Sequence, residues 1–227
     1  MKKIGLLSIS VLFFLLCSNI TWGQIAAWNN NSLSGITLGS LNATTYDNNL
    51  NATLPSLSRG IGITATTLAG GYASSGWNVA SEALAKSGNL YYQVTIIPNS
   101  GFGISLTSLD EKLRRTSSGP NNYIWSYSLN GSDFTDIGSA VSFTTTTTGG
   151  DVQPQIVLSS ISDLQSVSGT IYLRLYAWEH LDQVEHSHLE QEMLIVYQSQ
   201  EPSPLQAYLL QPHKHTISLS VVYLRVA

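Results

Sequence analysis

The stretch Leu113 to Gly131, LRRTSSGPNNYIWSYSLNG, constrains the fold most. Its second half places Tyr123, Trp125, Tyr127 and Leu129 at alternate positions, with Ile124, Ser126 and Ser128 between them. A repeat of two is that of a strand with two unlike faces, and a helix would scatter the same residues around its axis. Asn130-Gly131 follows at once. That pair between alternating segments is the strongest short-range hairpin signal, because both residues tolerate positive φ. The pattern predicts a strand over 123–129 and its return over Phe134 to Ile137. An aromatic stripe opposite a serine face reads as core before it reads as a binding surface.

The same logic extends along the chain. Leu90 to Ile97, LYYQVTII, is dense in β-branched and aromatic residues and stops at Pro98. Ile104, Leu106, Leu109 and Leu113 form a strand whose apolar parity shifts once near Thr107-Ser108, the mark of a β-bulge. Gly169 to Trp178 sets Ile171, Leu173, Leu175 and Ala177 against Tyr172, Arg174, Tyr176 and Trp178. Ile25 to Trp28, Ile36 to Leu41, Val141 to Thr148 and Gln155 to Leu158 are further short strands. Gly60 and Gly62, in the weakly alternating Ser58 to Ile63, predict a bulge or a close backbone approach. Helix is confined to one turn at Ser81 to Lys86 and one at Ser159 to Gln165, the latter with a serine cap. Many short strands separated by turn residues predict an all-β fold, an antiparallel jelly-roll-like β-sandwich.

The first 23 residues read as a signal peptide rather than as fold. Lys2 and Lys3 precede a nearly continuous apolar run from Ile4 to Cys17, and small residues flank Trp22. Cleavage is expected after Gly23. The run is too short for a membrane span, so the membrane enters only through this export signal. Lipidation at Cys17 would want a small residue before it, where Leu16 stands. Cys17 is the only cysteine, so the mature chain holds no disulfide, thiolate ligand or thiol nucleophile. Charged residues make up 11% of the chain and the net charge is −4, which gives no nucleic-acid surface.

The segments QIAAWN, SLSRGIGIT, SSGW, LYYQVTI, LTSLDEKLRRTSSGPNNYIWSYSLNGSDFTDIG and GTIYLRLYAW together resemble a jelly-roll module of secreted or cell-surface Bacteroidota proteins. The resemblance runs from Gln24 to Trp178. It implies secretion and a sandwich, a binding or spacer role, and no defined activity.

Composition breaks after Trp178. All five histidines lie beyond it, namely His180, His186, His188, His213 and His215. The chain therefore divides into 1–23, a sandwich domain over 24–178, and an atypical tail over 179–227. His186 and His188 on a strand would face one side and could share a metal ion with His180, Glu185 or Glu190. A solvated amphipathic helix accounts for the same residues. So does a frameshift: read one base earlier, the degenerate codons from Glu179 permit a Gly/Ser/Thr-rich loop of the kind the family carries there. Ile217 to Val226 has strand propensity and would cap a sheet edge or stay loose.

No histidine precedes His180, so a Ser-His-Asp triad cannot form in the body. No phosphate loop or nucleotide fingerprint is present. No cofactor is expected. Asp133 and Asp136, just past the hairpin turn, are the pair that could serve a glycosidase or calcium. Arg114 and Arg115 read first as edge charges; Arg115 could instead face a ligand, or its neighbour pair with Asp110 or Glu111. Arg174 between Tyr172 and Tyr176 is either an anion or sugar contact or an arginine–aromatic ladder. Trp77, in a Ser/Gly loop, is the exposed stacking candidate, with a plug at the sandwich end as its alternative. The expected function is an exported non-catalytic module binding a glycan or other cell-surface ligand. A structural spacer from a larger surface protein, or a carboxylate-dependent glycoside hydrolase, are the alternatives.

Overall fold

The computed structural model describes residues 23–29, 39–48, 53–143, 150–178 and 216–226. Residues 1–22, most of the tail and all five histidines fall outside them. The described strands form two antiparallel sheets around one hydrophobic core. The first holds β2 (Leu41–Asn42), β4 (Ser56–Arg59), β7 (Tyr91–Ile96), β9 (Asn122–Ser128), β10 (Thr135–Ser142) and β13 (Ile171–Trp178). Its order is β10-β9-β13-β7-β4-β2. The second is built on β1 (Gly23–Asn29), β3 (Thr45–Tyr46), β8 (Leu106–Arg115), β11 (Asp151–Val152) and β14 (Thr216–Val226), in the order β11-β8-β14-β1-β3. Alongside, β12 (Ile156–Val157) pairs with β8, β6 (Tyr72–Ser75) with β14, and β5 (Thr64–Thr66) with β6.

The alternation read from the sequence places the core. On β13, Ile171, Leu173, Leu175 and Ala177 are buried, with β9 on one side and β7 on the other. Tyr92, Val94 and Ile96 of β7, and Tyr123 and Trp125 of β9, fill the same layer. Removing such side chains from water supplies the main drive for the two sheets to close. The bulge falls where the apolar parity slips. Arg225 is registered on Ser108 and Val226 on Leu106, so Thr107 is the extra residue.

The glycines of the β4–β5 connection mark a close backbone approach. Gly60 N donates to Tyr91 O at 2.9 Å and Gly62 N to Asn89 O at 3.1 Å. A Cβ on either would overlap a backbone carbonyl, that of Asn89 or of Gly88.

The short helix α1 (Glu82–Ser87) has Ser81 as its cap, whose Oγ accepts from Leu84 N at 3.3 Å. It packs against β13, where Lys86 stands 5.8 Å from the ring of Tyr176, which is buried although it alternates with the core residues. The second expected turn is a 3-10 turn at Ser162–Leu164, and it has no serine cap: Ile161 holds the cap position and buried Leu164 anchors the turn.

β14 corrects the sequence reading of the tail. It lies inside the sheet, with β8 along one side and β6 and β1 along the other. It is neither an edge cap nor loose, and the sandwich extends past Trp178. Both β1 and β8 would otherwise carry an unpaired row of N–H and C=O groups in the middle of a sheet.

Candidate functional site

The five ligand candidates from the sequence do not assemble into one surface. Trp77 is 0% exposed. Its Nε1 donates to Ser74 O at 3.0 Å, and its ring meets Tyr92 edge-on at 5.2 Å. It is the plug, not an exposed stacking face; Gly76, at φ +99°, turns the chain so that the indole points inward.

Arg115 and Arg174 lie in different sheets and share no face. Arg115 Nη1 donates to the carbonyls of Ser117 at 3.1 Å and Gly119 at 3.0 Å, tying down the turn that follows β8. Arg174 is the ladder. Its guanidinium stands 3.9 Å from the Tyr91 ring and 3.8 Å from the Phe134 ring. Its Nε donates to Gln93 at 2.8 Å and its Nη1 to the Tyr176 hydroxyl at 3.1 Å. Both faces and two of its nitrogens are thus engaged. Tyr172 supports the hairpin instead, since a Cβ on Gly131 would come within 3.2 Å of its ring. His186 and His188 lie outside the described residues. Among the described residues no group of three His, Cys, Asp or Glu side chains could hold a metal ion.

Asp133 and Asp136 part company. Asp136 accepts from Lys86 at 2.7 Å and from the buried Ser126 hydroxyl at 2.6 Å, and Lys86 also bonds Glu82 at 2.6 Å. Partial burial pushes the Asp136 carboxyl up, but the Lys86 and Ser126 hydrogen bonds outweigh it and hold the group below the ordinary carboxylate value. This pins α1 to β10.

Asp133 lines a hollow of about 260 Å³ at the hairpin tip, together with Tyr127, Leu129, Asn130 and, from the 3-10 turn, Asp163. The hairpin chemistry builds it. Asn130 Oδ1 accepts from the backbone N–H of Ser132 at 2.8 Å and of Asp133 at 2.9 Å, while Asn130 Nδ2 donates to Asp133 at 2.8 Å. The Tyr127 hydroxyl donates to Asp163 at 2.9 Å. Partial burial and the Asp163 carboxylate raise the Tyr127 pKa. Leu129 stays 44% exposed beside these polar groups. The hollow therefore offers an apolar wall next to carboxylate acceptors. Asp163 stands 30 residues beyond Asp133 in the chain, and only the fold brings it to the hairpin.

A second cluster lies between the sheets. Glu111 follows the inward parity of Leu109 and Leu113 and is 2% exposed. Desolvation pushes its carboxyl up to about 8, though Tyr123 and Trp125 of β9 pull the other way. Arg115 is no partner for it, being turned onto its own loop.

No protein-family model matches the chain, and no curated protein matches it.

Proposed function

We propose that this chain is an exported, non-catalytic binding module of the jelly-roll type carried by secreted Bacteroidota proteins, and that the hairpin hollow takes a carbohydrate. The observation carrying this reading is the pairing, in one hollow, of the Tyr127 ring and Leu129 with the carboxylates of Asp133 and Asp163. A pyranose has an apolar face and a rim of hydroxyl donors. The first packs on an aromatic ring, and the second makes charge-assisted bonds to carboxylates. An exported module of that family would meet glycans, which supports the reading.

The hydrolase reading has the same two carboxylates to draw on. A glycosidase acid, however, must hold its proton near neutral pH, which takes burial in apolar surroundings. Asp133 and Asp163 are both exposed, which favours binding over bond cleavage.

A glycan array on the purified protein is the test. At least one neutral glycan should bind, and Tyr127→Leu and Asp163→Ala should each weaken it at least about tenfold while thermal melting stays near wild type; one lost charge-assisted bond accounts for that factor. Silence across the array would favour the spacer. Sugar release by the wild type, abolished in Asp163→Ala, would favour the hydrolase.

A further inference from the structure

We propose that Glu111, Tyr123 and Trp125 form a proton-operated seam: the two sheets close over Glu111 as the neutral acid, and loss of its proton loosens them along β8 and β9.

The geometry carries it. Glu111 stands on β8 in one sheet, and Tyr123 and Trp125 stand on β9 in the other. All three side chains are buried. Both carboxyl oxygens, the Tyr123 hydroxyl and the Trp125 indole N–H lie in that layer without completing a hydrogen bond. A carboxylate shut into such a layer loses its hydration, and two donors short of bonding geometry do not replace it. The neutral acid costs far less, because an unpaired polar group forfeits much less hydration than an unpaired charge.

The groups around Glu111 reinforce this. Asp110, the next residue on β8, disfavours a second negative charge. Tyr123 across the seam stays neutral, since burial and then Glu111 itself raise its pKa. On the neighbouring strands, Val222 of β14 is registered against Glu111, and Gln153 N donates to its backbone carbonyl. Arg115, on the same face of β8, is committed to the carbonyls of its turn.

The direction follows from linkage. Burial raises the Glu111 pKa from 4.5 to about 8 in the folded protein. The unfolded chain therefore binds fewer protons between those values, and stability falls as pH rises through that window. Below it, the stabilisation is fully present. Asp136, whose pKa is lowered, works the other way and only in acid, below the ordinary carboxylate range.

The test reads Glu111 directly. In carbon NMR of the purified protein, its carboxyl should titrate at least about two units above an ordinary glutamate. In urea, the wild-type folding constant should fall by up to about tenfold per pH unit from pH ~5 to ~8. Glu111→Gln, of the same shape without the charge, should remove that fall and be the more stable protein at pH ~8. Parallel pH curves for the two proteins, or a carboxyl midpoint near the ordinary glutamate value, would overturn the seam. Should the variant not fold, the NMR midpoint decides by itself.

Discussion

Trp77→Ala is expected to cost about 3–5 kcal/mol of unfolding free energy, the range for deleting a fully buried large aromatic. Three losses add. The indole is completely buried, so its transfer from water is forfeited. A cavity opens beside Tyr92, whose ring it meets edge-on, and Tyr92 in turn leans on Tyr72 at 5.5 Å. The Ser74 carbonyl loses its donor. These partners span the sandwich, with Tyr92 on β7 in one sheet and Tyr72 and Ser74 on β6 in the other. The same junction carries Arg59, whose Nε donates to Ser74 Oγ at 2.5 Å and whose Nη2 donates to Ala73 O at 2.9 Å. Trp77→Phe should keep most of the packing and cost about 1–2 kcal/mol for the smaller ring and the lost bond. Urea unfolding at fixed pH measures both. An unchanged midpoint in Trp77→Ala would return Trp77 to the surface and revive it as a ligand contact. The expected result means that a binding assay on Trp77→Ala would read unfolding instead of recognition.

The sequence carried what is local. The strands at 122–128 and 171–178 were legible because a repeat of two fixes which side chains face inward, whatever the partner strands. The bulge at Thr107 was legible as a slip in the same repeat. Partnership was not legible. Thr216 to Val226 announces a strand, but nothing within it says that β1 and β8 each lack a neighbour. The loop around Trp77 has surface composition, yet burial there depends on a positive-φ glycine and on two strands that close over the indole. Asp133 and Asp136 are neighbours in sequence, and the start of β10 sends one to the hollow and the other under Lys86. Asp163 reached the hollow from a separate turn. A site built at a crossing of loops leaves no periodic trace along the chain.

Gly62→Ala is expected to cost about 3 kcal/mol, the upper end of overpacking penalties, because nothing near the new methyl can give way. The obstruction is the Gly88 carbonyl oxygen, with the Leu90 side chain behind it. That carbonyl belongs to the residue that ends α1, and Gly88 N is bonded to Leu84 O at 2.9 Å. Leu90 N is bonded to Ala85 O at 2.9 Å, and both side chains are in the core. Moving the 88–90 backbone therefore means unwinding the end of α1 or lifting the start of β7. Moving residue 62 instead breaks its bond to Asn89 O and strains that of Gly60 to Tyr91 O. Gly169→Ala is the matched control: its Cβ meets nothing within 4 Å, so its effect should stay within about 0.5 kcal/mol. Denaturant midpoints of the two variants, measured side by side, separate a steric cost from the loss of glycine's backbone freedom. Because α1 carries Lys86, a displaced helix also withdraws the cation from Asp136. In Gly62→Ala the Asp136 carboxyl should titrate closer to the ordinary value than in wild type, a shift that Gly169→Ala leaves absent. Equal stability of Gly62→Ala and wild type would mean that the two backbones stand farther apart in solution than their hydrogen bonds require.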